Sequence, residues 1–153
     1  MRSGIGNSAS DPVYVSSVAD PANGVQGTGT TGNPTITASS AGTSVSRLVS
    51  SAASVNTTSI KAAPGTVYLV DGYNSNAAAR YLKLYNKASA PTVGTDTPFL
   101  TKYLAPQSAF SIPVPAGLQF SAGIAYALTT AAADNDTGAL TAGDVMAMNV
   151  VYR

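Results

Sequence analysis

From residue 46 onward, hydrophobic and polar residues alternate in short runs separated by turn residues. A period of two is what a half-buried β-strand imposes on its sequence. The pattern predicts strands over residues 47–55 and 58–62, a break at Pro64-Gly65, and a strand over 66–70 that ends at the turn pair Asp71-Gly72. In residues 80–87, Leu82 and Leu84 fall on one face and Tyr81, Lys83, Tyr85 and Lys87 on the other. A loop containing Pro91, Gly94 and Pro98 leads to a strand over 99–104. Phe110, Ile112 and Val114 then alternate with Ser111 and Pro113. Proline has no amide donor for a ladder, so that strand belongs at a sheet edge or stops there. Leu118 and Phe120 resume the pattern after Pro115-Ala116-Gly117. Ile124, Tyr126 and Leu128 share a face with alanines opposite, and the polar turn Asp134-Asn135-Asp136-Thr137-Gly138 follows. In the last strand, 145–152, Met146, Met148 and Val150 are expected to face the core. Residues 45–53 and 77–85 also carry helix-like spacing, through Val45/Leu48/Val49/Ala52 and Ala78/Tyr81/Leu82/Tyr85.

About eight or nine short strands with regular turns imply an all-β protein, a jelly-roll-like antiparallel sandwich over residues 46–153. Residues 1–45 read differently. They contain no leucine or phenylalanine, Tyr14 is their only aromatic residue, and Gly, Ser and Thr dominate. Such a segment buries too little apolar area to offset ordering costs of roughly 1–2 kcal/mol per residue. It is expected to form an extended arm that partner subunits hold in place. A loop-rich segment packed on its own domain is the other reading.

Composition narrows the function. Charged residues make up 10% of the chain, against a usual quarter, and the net charge is +1. A nucleic-acid or anionic-membrane protein would carry a basic bias, so neither partner is expected. The N-terminal residues lack the apolar run of a secretory signal, and no stretch is apolar enough to span a membrane. Histidine, cysteine and glutamate are absent. Nucleophilic catalysis would therefore have to rest on Ser-Lys or Thr-Lys pairs, and Lys61, Lys83, Lys87 and Lys102 sit in no such motif. Without an evident acid–base pair, no enzymatic activity and no cofactor are expected.

Two further patterns bear on binding. Asp134-Asn135-Asp136-Thr137-Gly138, with Asp144 downstream, resembles a calcium loop in composition. Its sixth and twelfth positions are Ala139 and Val145, where an EF-hand needs Gly and Glu. A turn braced by its own side chains is the simpler account, and no metal is expected. Arg80 together with Tyr81, Lys83, Tyr85 and Lys87 offers a basic, aromatic strand face. Tyrosine and arginine are favoured at protein interfaces, so Tyr81, Lys83, Tyr85 and Lys87 are the candidate interface residues, against a plain solvent-exposed sheet face.

Residues 56–152 resemble small virion structural proteins of tailed bacteriophages. The resemblance is carried by Asn56-Thr57-Thr58 and by Gly72-Tyr73-Asn74-Ser75-Asn76-Ala77-Ala78-Ala79-Arg80-Tyr81-Leu82-Lys83-Leu84-Tyr85-Asn86-Lys87. It continues in Ala90-Pro91-Thr92-Val93-Gly94-Thr95-Asp96-Thr97-Pro98, Gly123-Ile124-Ala125-Tyr126-Ala127-Leu128-Thr129-Thr130 and Leu140-Thr141-Ala142-Gly143-Asp144. It implies a capsid decoration or cement protein, made in the host cytoplasm and carried on the virion. Such a subunit would assemble as a homotrimer and brace the shell through contacts with the major capsid protein or other virion proteins. A tail, neck or fibre location and a glycan- or receptor-binding sandwich are the alternative functions.

Overall fold

The computed structural model describes residues 43–153. The expected N-terminal arm lies outside the described residues as far as residue 42. Eight strands follow in order: β1 (Ser44–Ser50), β2 (Thr58–Lys61), β3 (Gly65–Asn74), β4 (Arg80–Asn86), β5 (Leu100–Leu104), β6 (Ser108–Phe120), β7 (Ile124–Thr129) and β8 (Val145–Tyr152). No helix occurs among the described residues, so the helix-like spacing at 45–53 and 77–85 resolves as β1 and β4.

The strands form two four-stranded antiparallel sheets, ordered β1-β8-β3-β6 and β2-β7-β4-β5. The nested pairs β1·β8, β2·β7, β3·β6 and β4·β5 are all hydrogen-bonded. This is the connectivity of one long hairpin rolled up on itself, a jelly roll. Side chains from both sheets meet in one core: Val67 and Val70 of β3, Phe120 of β6, and Met148 and Val150 of β8 face Leu82 and Leu84 of β4 and Leu128 of β7. Burying each such side chain contributes about 1.5–3 kcal/mol, which is why the alternation was so readable.

Four local expectations need correction. The first strand is displaced from residues 47–55 to Ser44–Ser50. The chain leaves the sheet where Ser51 donates its hydroxyl to the Thr141 carbonyl and Asn56, at φ 50°, folds its amide back onto Ala52. Second, Asp71-Gly72 is no turn, because β3 runs through it to Asn74. A Cβ at Gly72 would stand 2.6 Å from the Phe110 ring and 3.0 Å from Met148 Cα, so glycine serves close approach there rather than chain reversal.

Third, the two strands expected on either side of Pro115-Ala116-Gly117 are one strand, β6. Its register against β3 jumps from Leu69↔Pro113 to Val67↔Leu118, so residues 114–117 bow out of the ladder. β6 is an edge strand, as Pro113 required. Fourth, Met146 faces outward. Gly72 opposes both Ala147 and Met148 across a bulge, since Asp71 pairs with Asn149 and Tyr73 with Met146. Ala147 takes φ 49° to make this possible. The extra residue resets the phase of β8, so Val145, Met148 and Val150 are buried and Met146 is exposed.

Candidate interaction surface

The β4 face expected to be open is largely roofed by the subunit itself. Lys83 and Tyr85 are 0% and 1% exposed, so neither can meet a partner in this conformation. The Lys83 ammonium donates to the carbonyls of Ala133 at 2.5 Å and Asp136 at 3.3 Å, pinning the β7–β8 connection over the sheet. Burial pushes its pKa below the ordinary 10.5, and the charges of Asp136 and Asp134 offset part of that shift. Tyr85 packs with Ala125, Ala127 and Val93 in a small second core outside the sheet. Its hydroxyl has no hydrogen-bond partner among the described residues. Burial, and then the charges of Asp96 and Asp134, raise its pKa above the ordinary 10.0.

Lys87 pairs with Asp96, whose carboxylate also accepts the Thr92 amide at 2.6 Å, and so ties down the β4–β5 loop. Only Tyr81 of the four remains a surface ring. It meets Tyr103 of β5 edge-on, with centroids 5.7 Å apart. The face expected to be a cationic platform is therefore mostly scaffolding for two loops. A lysine–carbonyl anchor of this kind links residues about fifty positions apart and leaves no local sequence signal.

Replacing Lys83 with methionine keeps the packed stem and removes the anchor. Global stability is expected to change by less than about 1.5 kcal/mol, because an apolar isostere needs no partner. The amides of Ala131 and Asp136, bonded within the loop, should exchange with solvent at least tenfold faster (an estimate of about 1.4 kcal/mol of lost local protection). Unchanged exchange at both would show that Lys83 does not hold the loop.

A second polar cluster closes one end of the sandwich. Arg80 Nε donates to Asp144 Oδ2 at 2.7 Å, Asn76 Nδ2 to Oδ1 at 2.7 Å, and the Thr141 amide to Oδ2 at 2.9 Å. Ser75 donates its hydroxyl to the Gly143 carbonyl, and Asn74 Nδ2 reaches the Leu104 and Ala105 carbonyls. The segment Asn74-Ser75-Asn76 and the pair Gly143-Asp144 thus meet in space. Among the described residues no group of acidic side chains is arranged to hold a metal ion.

Among the described residues, the face left exposed is the outer face of the sheet β1-β8-β3-β6. Cross-strand partners stand side by side on one face, and here they form rows. One row is apolar: Val45, Val151, Leu69 and Pro113. The next is polar: Arg47, Asn149, Asp71 and Ser111, in which Asn149 Nδ2 donates to Asp71 Oδ1 at 2.7 Å. Beyond it stand Ser50, Met146, Tyr73 and Ala109 in register, and Val49, one position before Ser50, is exposed on β1. Six large apolar side chains are exposed among the described residues, and four of them, Val45, Val49, Tyr73 and Met146, lie on this face. The sequence alternation placed Met146 inside, so it hid one member of the third row.

Elsewhere the surface carries a cleft of about 740 Å³, lined by Lys61, Tyr68, Asn86, Phe99 and Gln119 among others. Among the described residues, no helix is long and apolar enough to cross a membrane. No family model, no curated protein and no solved structure matches the chain.

Proposed function

We propose that this chain is a capsid decoration or cement protein of a tailed bacteriophage, a non-enzymatic subunit that stabilises the head shell through its surfaces. The observation that carries the reading is the outer face of β1-β8-β3-β6, exposed among the described residues, with apolar rows on both sides of a polar one. Contiguous exposed apolar surface on a rigid sheet is the mark of a contact site. The charged groups that are buried, Arg80, Lys83 and Asp144, all make bonds that brace loops or strand ends. Such a subunit adds many modest contacts, which symmetry multiplies into a strong hold. A homotrimer bound to the major capsid protein is the assembly this reading carries.

The test is location. A reconstruction of intact particles is expected to place the protein on the head shell in copies that follow the capsid lattice. Particles lacking it should lose their DNA at lower temperature than complete ones. Density confined to the tail or neck would replace the cement reading with an adaptor role.

The cleft favours a second reading, a glycan-binding module. Phe99, Tyr68 and Gln119 line the cleft, two aromatic rings and an amide of the kind that bind a sugar. A glycan array with no binding at millimolar concentration would remove it.

A further inference from the structure

The exposed face of β1-β8-β3-β6 is complementary to itself. We propose that it docks on the same face of a second copy of this chain, about a two-fold axis running along β8. The inference deepens the decoration reading by assigning this face a partner. β8 lies between β1 and β3. A rotation about its direction keeps each row in place and exchanges β1 with β3. Val45 then stands over Leu69 of the second copy. Arg47 stands over Asp71, and the symmetry makes that pair twice. Arg47 is exposed and forms no ion pair among the described residues. Asp71 accepts one bond, from Asn149 at its Oδ1. Each copy therefore brings an unmatched cation and an available carboxylate to opposite sides of the axis.

Two features agree with this geometry. Sheets that stack face to face keep their strands within about 30° of each other, which a two-fold axis along the strands supplies. A net charge of +1 gives two copies little reason to repel. Three strands span about 14 Å at ~4.8 Å spacing, so the contact is smaller than a standard stable interface. Its dissociation constant is expected to be on the order of 100 µM, suited to a lattice of repeated contacts.

Charge reversal on the full chain tests the proposal, with sedimentation as the readout. The wild type should associate in even steps, monomer to dimer, or trimer to hexamer if another surface makes trimers. Arg47→Asp and Asp71→Arg should each weaken that step about tenfold, because each variant sets like charges against each other. Mixing the two variants should restore it. In the mixed pair each of the two contacts across the axis again sets one cation against one carboxylate. Arg47→Asp removes no intramolecular ion pair among the described residues, so its result stands even if Asp71→Arg folds poorly, and circular dichroism identifies that case. A wild type without an even step at millimolar concentration, or with one that Arg47→Asp leaves unchanged, overturns the proposal. If the variants fold but their mixture does not recover the step, it is overturned too. Failure here leaves the decoration reading standing, which falls only on the protein's location on the particle.

Discussion

Replacing Asp144 with alanine is expected to cost the fold about 3–5 kcal/mol, the typical penalty for stripping one partner from a buried ion pair. The Arg80 and Asp144 side chains are 10% and 5% exposed. Without the carboxylate, the guanidinium keeps its charge in a site closed to water. Asn76 and the Thr141 amide lose their acceptor as well. The thermal midpoint should fall by at least about 12 °C, at ~4 °C or more per kcal/mol for a domain of this size. The double change Arg80→Met with Asp144→Leu should recover most of the loss, because an apolar pair needs no counter-charge. A double variant no more stable than the single would show that packing, rather than the charge pair, governs this end of the sandwich.

The same residue sets an acid limit. Burial raises the Asp144 pKa, but hydrogen bonds from Arg80, Asn76 and the Thr141 amide, with the Arg80 charge, outweigh it and hold the group below its ordinary 3.8. A folded-state pKa below the unfolded one gives stabilisation that is complete above the unfolded value of about 3.9 and is lost as pH falls through the folded value. Asp96 shifts the same way, chiefly through its bond from Lys87. Unfolding curves recorded below about pH 4 should therefore show the wild type losing stability more steeply than Asp144→Ala. Equal slopes would mean that Asp144 titrates normally.

Phe120→Ala is expected to cost about 3–5 kcal/mol, through lost burial and the cavity left behind. Phe120 is 1% exposed and ends β6 inside the core shared by both sheets. Phe99 packs against it with ring centroids 5.1 Å apart, yet stands 49% exposed. Phe99→Ala should cost only about 1 kcal/mol, since much of that ring remains in water in the folded state. Urea denaturation of the two variants measures the contrast. Equal losses would show that Phe99 is structural and not available to line a binding cleft.

How far the sequence discloses this site depends on the range of each interaction. Leu82 and Leu84 on the inner face of β4 were legible because alternation is local. Pro113 placed its strand at an edge because a missing amide acts where it stands. Asp71-Gly72 misled because the same two residues suit a tight turn and a close strand crossing. Choosing between them requires the Phe110 ring and the Met148 backbone, which approach from other strands. Tyr81, Lys83, Tyr85 and Lys87 do share the face opposite the leucines. That Lys83 and Tyr85 are covered there depends on loops whose paths no local pattern encodes.

By itself, the sequence determined that residues beyond the mid-forties form short antiparallel strands, which side chains turn inward along most of them, and that the polar chemistry is sparse. Period-two patterning and turn residues act over a few positions, and a linear chain displays them in full. Tertiary structure alone decided the rolled order of the strands, the bulge that turns Met146 outward, and the loops over Lys83 and Tyr85. It also decided which sheet face is exposed among the described residues. These depend on pairings such as Arg80 with Asp144, made by residues dozens of positions apart. Their energies exist only once the chain has closed on itself.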